Sequence, residues 1–217
     1  MKLAIYDFDG TLIQKHAIPS ILNTWKKLGL NRRVYKKIRR KIILLYIAYK
    51  LKIFGIKKEV FRVKAMHIMQ KLFASVDFKT AKDTLYNVYL DLSSSINQAV
   101  LKAMEIDKDN GYTCILLSGN YLPILEPFKS LGFDKVIGTK LYQNETIIPY
   151  DDIDILIHNK KKEALLNAYK DADLRASKVY ADSYYDLPLF ELVGIKIAVN
   201  PDEALKKYAI KNGFTII

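Results

Sequence analysis

Ala4-Ile5-Tyr6-Asp7-Phe8-Asp9-Gly10-Thr11-Leu12 is an apolar strand that ends by presenting two carboxylates. In extended backbone the side chains alternate faces, so Asp7 and Asp9 leave on the same side, and Gly10 lets the chain turn tightly behind them. Two acids held that close repel one another unless a cation sits between them, and a divalent metal is the simplest such cation. The plain alternative is a turn after an edge strand, where Asp and Gly are common.

Outward from this stretch the chain divides into two textures. From about residue 13 to 104 apolar residues recur at helical period with a single proline, Pro19. This predicts a bundle with helices over 18–28, 32–53, 57–73 and 79–104, the last long enough to be two. After Gly111 strand and helix patterns alternate: strands over 112–117, 135–137, 178–181, 195–198 and 214–217, and helices over 122–131, 160–172, 187–192 and 202–211. A small hairpin falls at 142–148. With the first strand, 2–6, this order predicts an α/β fold, a doubly wound Rossmann-like, mostly parallel sheet with an inserted α-helical cap domain. The expected division is a core of 1–13 and 108–217 and a cap of 14–107.

The composition, 217 residues with 50% hydrophobic and 27% charged side chains, is that of a folded protein with a substantial core. One cysteine, Cys114, excludes an intrachain disulfide and fits a reducing compartment. The first apolar run is broken at once by Asp7 and Asp9, unlike a secretory leader, so a cytoplasmic location is expected. The net charge of +12 is concentrated: residues 14–100 carry 19 Lys and Arg against four Asp and Glu, a balance of +15 that leaves −3 for the remainder. That segment is expected to meet something anionic, whether a small phosphorylated substrate, a lipid head-group surface or a nucleic acid. The basic face 31–41 runs into an apolar stretch, 42–54, which Lys50 and Lys52 make too short for a membrane span. It is expected to be the buried central helix of the cap, with transient contact between the basic cap and an anionic membrane surface as the second reading. Fifteen tyrosines could stack on bases, but no RNA-binding signature accompanies them, so nucleic acid is not the expected partner. His16, His67 and His158 lack the spacing of a metal triad.

In doubly wound sheets ligands sit beyond the carboxyl ends of the strands, which makes the exit residues Asp7, Ser118, Lys140 and Asp182 the ones to inspect. Asp186 lies four residues after Asp182 and can present a second carboxylate beside it. Hard oxygen ligands of this kind suit Mg²⁺. Ser118 with Gly119 offers a hydroxyl and bare N–H groups at a helix entrance, a cradle for phosphate. Lys160, Lys161 and Lys162 open a further helix from which one ammonium could reach the same anion.

In this order the motifs resemble the haloacid dehalogenase-like hydrolase superfamily, in the branch similar to phosphoserine phosphatases. Asp7-Phe8-Asp9-Gly10-Thr11, Leu117-Ser118-Gly119, a lysine within 159–165 and Ala181-Asp182-Ser183-Tyr184-Tyr185-Asp186 stand where that branch has its four motifs. The resemblance covers 1–13 and about 112–200, and the helical segment takes the place of the superfamily's cap. It implies a Mg²⁺-dependent phosphatase that hydrolyses a phosphate monoester, with Asp7 as nucleophile forming an aspartyl-phosphate and Asp9 as general acid and base. It also implies Mg²⁺ on Asp7, the Asp9 carbonyl, Asp182 and Asp186, and phosphate oxygens held by Ser118, Gly119 and a lysine. Lys161 is the first choice for that lysine, Lys162 the second and Lys160 the third. The cap lacks the sequence context of the carboxylate and arginine with which phosphoserine enzymes grip an amino acid; Glu59 and Arg62 are available, and serine phosphate is not the expected substrate. A phosphotransferase or mutase would use the same residues, and a basic module that binds lipid or nucleic acid would need only the cap.

Overall fold

The computed structural model describes residues 1–217, apart from the side chain of Phe54. Its centre is a six-stranded sheet of β1 (Leu3–Tyr6), β2 (Thr113–Tyr121), β3 (Lys135–Thr139), β6 (Lys178–Ala181), β7 (Ile195–Ala198) and β8 (Thr215–Ile216). Their order across the sheet is β3-β2-β1-β6-β7-β8, with every neighbouring pair parallel. An antiparallel pair, β4 (Tyr142–Gln143) and β5 (Thr146–Ile147), stands apart as the hairpin. All four residues of β1 are buried, and this is why the strand reads as continuously apolar: helices cover both faces of a parallel sheet. One face carries Leu3, Ile5, Ile115, Leu117 and Val179 with Leu165, Phe190 and Leu205. The other carries Ala4, Tyr6, Leu116 and Tyr180 in a cluster that continues through Phe8 into Trp25, Phe73 and Leu85.

Those last residues belong to helices that lie between β1 and β2 in the chain: α1 (Ala17–Leu28), α2 (Arg32–Lys50), α3 (Lys58–Phe73) and α4 (Phe78–Ser93). Asp77 caps α4, its side chain accepting from the Thr80 N–H at 2.9 Å, which satisfies a donor the helix start leaves free. The long helix expected over 79–104 is two. α4 stops, and after a break at 94–97 Asn97 caps α5 (Gln98–Asp109) while its own N–H donates to the Leu12 carbonyl at 2.8 Å. The chain thus returns to Leu12, just beyond the carboxyl end of β1, before α5 begins. Asp107, buried on α5, accepts from the Tyr6 hydroxyl at 2.6 Å and the Tyr180 hydroxyl at 2.8 Å and also pairs with Lys178. The two tyrosine rings stack at 4.5 Å. α5 is therefore fastened to the sheet.

Two expectations need correction. The stretch 42–54 is not a buried central helix: in α2 only Ile38 and Ile42 are buried, whereas Leu44, Tyr46 and Ile47 are 59%, 46% and 44% exposed. α2 packs against α3 and α1 along one side, and a helix covered on one stripe leaves the rest of its surface in water. Among the described residues no helix is long and apolar enough to cross a membrane. Nor does Ser118-Gly119 stand at a helix entrance. β2 continues to Tyr121 through a register irregularity between Leu117 and Tyr121, and the next helix, α6 (Leu122–Leu125), starts after it. The remaining helices, α7 (Asn159–Ala168), α8 (Leu187–Phe190) and α9 (Glu203–Lys211), lie close to their expected positions.

The Asp107 cluster yields a stability prediction. Asp107→Ala strands two buried hydroxyls and a lysine, and should cost about 3 kcal/mol or more in urea unfolding; a change below about 1 kcal/mol would mean the cluster contributes little.

Candidate active site

Parallel pairing of β1 with β6 decides where the acids meet. The Asp7 N–H donates to the Tyr180 carbonyl at 2.9 Å, so Asp7 and Asp182 emerge side by side from adjacent strand ends. Gly10 sits behind them at φ +82°, and a Cβ there would stand 2.5 Å from Asp182 Oδ2. Only glycine satisfies both the left-handed backbone and that approach.

Asp7 Oδ1 accepts from Lys161 Nζ at 2.7 Å, and the same ammonium donates to Asp186 Oδ1 at 2.6 Å. Of the three lysines considered, Lys161 is the one buried in the site; Lys160 pairs with Asp154 at the surface. Burial alone would lower the Lys161 pKa, but Asp186 and Asp7 outweigh it and hold the ammonium above its ordinary value. Asp9 Oδ1 accepts from the Ala17 N–H at 3.0 Å, and Oδ2 accepts from Asn120 Nδ2 at 2.9 Å and from Arg62 at 3.1 Å. Ser118 is buried, its Oγ accepting from the Asn120 N–H at 3.2 Å. A Cβ on Gly119 would lie 2.7 Å from the Leu156 carbonyl, which leaves no space for a side chain at that position.

Asp7, Asp9, Ser118, Gly119, Lys161 and Asp186 line one cavity of about 50 Å³, room for a few water-sized groups. Asp182 adjoins it, since one oxygen each from Asp7, Asp182 and Asp186 lie within 4.8 Å of one another. Lys140 is exposed and takes no part in the lining.

Whether this cluster suits a cation can be judged from its own atoms. Asp7 Oδ2 and Asp182 Oδ1 are buried without a hydrogen-bond partner, an expensive state for a carboxylate oxygen. Burial and the neighbouring Asp7 push the Asp182 carboxyl up to about 7, and burial also raises Asp186. With Glu59 paired to His158, the four aspartates face two cations, Lys161 and Arg62, which leaves two negative charges when all four are ionised. An all-oxygen donor set with that surplus fits a hard divalent ion.

Sequence reasoning missed Asn120 and undervalued two residues of α3. Asn120 shares a strand face with Ser118 by its i+2 spacing, a signal available once β2 is extended past Ser118. Arg62 and Glu59 both line the cavity from α3. Glu59 pairs with His158 Nε2 at 2.7 Å, and His158, at φ 47° and ψ −124°, is the residue that starts α7. No periodicity reveals such a pairing, because it joins positions about a hundred residues apart.

The chain has recognisable kin. It is 31% identical over 111 residues to the "Inhibition of morphological differentiation protein" of Streptomyces azureus, an alignment of 49% of this chain and 40% of that one, so the match covers well under half of that relative. It is 23% identical to "Phosphoserine phosphatase SerB1" of Mycobacterium tuberculosis over 98% of this chain and 69% of the other. In three dimensions it resembles a protein of unknown function from Bordetella pertussis, with a TM-score of 0.81 and 20% identity over 100% of this chain and 97% of that one. The model of the haloacid dehalogenase-like hydrolase family matches residues 4–191. Spanning most of its length, that match makes the chain a member of the haloacid dehalogenase-like hydrolase family.

Proposed function

We propose that this protein is a phosphatase that hydrolyses a phosphate monoester through an aspartyl-phosphate on Asp7. The observation that carries the reading is the state of that carboxylate, with one oxygen held by Lys161 and the other buried and unpartnered beside Asp182. A carboxylate so fixed at a strand end, with Ser118 and Gly119 across the cavity, is poised as a nucleophile toward an anion that the lysine attracts.

In this reading Lys161, the Ser118 hydroxyl and the N–H groups around Gly119 hold the phosphoryl oxygens. An Asp7 oxygen bonds to phosphorus as the bond to the leaving oxygen breaks, and Asp9 supplies that oxygen with a proton. Asp9 then takes a proton from water, whose oxygen attacks phosphorus, releasing inorganic phosphate and restoring Asp7. Asn120 and the Ala17 N–H aim Asp9. Asp7, Asp182 and Asp186, with the Asp9 carbonyl, would hold Mg²⁺. Bound there, the ion supplies the positive charge that lets one anion approach another. The core and cap division belongs to the same proposal, with the end of the insertion moved back to about residue 96, where Ile96 bridges to Ile13. A phosphorylated substrate would enter between the two parts.

Two measurements test this. A panel of nucleotides, sugar phosphates, phosphoamino acids and lipid phosphates should include esters hydrolysed with Mg²⁺ and not with EDTA. Asp7→Asn should reduce that rate by at least ~10³-fold, and Lys161→Ala by on the order of 10²-fold; activity that survives both EDTA and Asp7→Asn rules the mechanism out. The second reads the Asp182 carboxyl, lifted from 3.8 to about 7. Well below pH 3.8 it is neutral whether the chain is folded or not. Between pH 4 and 7 the unfolded chain ionises first and gains the advantage, so metal-free protein should lose thermal stability as pH rises through that window. Mg²⁺ should raise Tm more at pH 8 than at pH 5, and Asp182→Asn should flatten both trends; equal Mg²⁺ stabilisation at the two pH values would contradict the assignment.

A further inference from the structure

We propose that the leaving group of this protein's substrate is a long aliphatic chain, accommodated in the groove between α1, α2 and α3; the inference rests on the phosphatase reading above. The groove encloses about 550 Å³, far more than the reaction cavity and within the range of pockets that take drug-sized ligands. It shares Asp9, Ile18 and Arg62 with the reaction cavity, so the two spaces meet at the Asp9 and Arg62 pair.

That meeting point sets the direction of the substrate. Lys161 and Ser118 hold the phosphoryl group at one side, and Asp9 is the residue that protonates the leaving oxygen. What departs must therefore extend past Asp9, and the groove is the space that begins there. Much of its wall is apolar, formed by Ile18, Leu22, Ile42, Ile43, Phe61 and the ring of Tyr46. Phe61 is braced by Tyr46 edge-on at 5.7 Å and by Tyr49 stacked at 5.4 Å. Among the described lining residues Asp9 is the one acid, and the other charged groups, Arg39, Lys50, Lys58 and Arg62, are cations. A short amino-acid or sugar body would leave this wall wet, whereas an alkyl chain gains roughly up to fourfold in affinity for each methylene removed from water.

The outer rim continues the same chemistry. Ile43 lies at the lip of the groove, and beside it Leu44 and Ile47 are exposed on α2 below a run of exposed arginines and lysines. An apolar strip next to cations can accept a long-chain monoester either as a free amphiphile or from an anionic bilayer.

The experiment uses butyl, octyl and dodecyl phosphate below their micelle-forming concentrations, with Mg²⁺ present. Binding to Asp7→Asn is followed by calorimetry, and turnover by the native protein is measured in parallel. The expected result is a Kd that falls by at least tenfold from butyl to dodecyl, with kcat/KM rising in step. The double variant Ile43→Glu/Tyr46→Glu, changed at two exposed positions, should collapse the dodecyl-to-butyl ratio toward one. If dodecyl phosphate binds no more tightly than butyl phosphate, the proposal is overturned even where short esters are hydrolysed. Chain-length-dependent binding without turnover of any ester would support the groove and overturn the phosphatase reading instead. Presenting dodecyl phosphate in phosphatidylcholine vesicles with and without phosphatidylglycerol separates the sources: faster turnover on the anionic vesicles supports a bilayer, and faster turnover of the monomer supports a free amphiphile.

Discussion

The site is organised by negative charge that the protein cannot neutralise by itself. Asp7, Asp9, Asp182 and Asp186 converge at the ends of β1 and β6, and Lys161 and Arg62 offset only half of them. Such crowding is costly unless an ion or a proton arrives, and burial together with the neighbouring Asp7 raises the Asp182 carboxyl. Much of the surrounding architecture serves to hold these groups together: a parallel sheet sets β1 beside β6, Gly10 admits Asp182 at close range, and α7 delivers a lysine between two acids.

The helices between β1 and β2 are tied to that centre at several points. Arg62 on α3 reaches Asp9, Glu59 on the same helix reaches His158, and the Tyr121 hydroxyl donates to the Met66 carbonyl. A single hydrophobic cluster runs from the sheet into α1, α3 and α4. These contacts close the cavity over Asp7, while α2, held along one side only, keeps an apolar and basic surface in solvent.

Much of this was legible in the residues because it depends on local rules. An apolar run that ends in Asp-x-Asp-Gly announces a buried strand with two acids on one face, and alternating strand and helix patterns imply a parallel sheet with ligands at its carboxyl edge. Asp182 and Asp186 could be proposed for the same reason. The errors arose where tertiary contacts outweighed local pattern. The stretch 42–54 is apolar enough to be buried, but burial depends on how many neighbours arrive, and α2 has them on one side. Ser118-Gly119 looks like a turn, but pairing with β3 carries the strand on to Tyr121. The stretch 79–104, long enough for two helices, divides at 94–97, where the Asn97 N–H donates to the Leu12 carbonyl.

Taken alone, the sequence determined the α/β class, the two acids at the first strand's end and the basic character of residues 14–100, since each follows from period, spacing or count within a short window. The tertiary structure decided which lysine enters the site, that Asn120 and Arg62 hold Asp9, and that a large apolar groove opens beside it. Those outcomes depend on contacts between residues separated by tens to more than a hundred positions, and such distances are fixed only when sheet, α7 and α3 have packed.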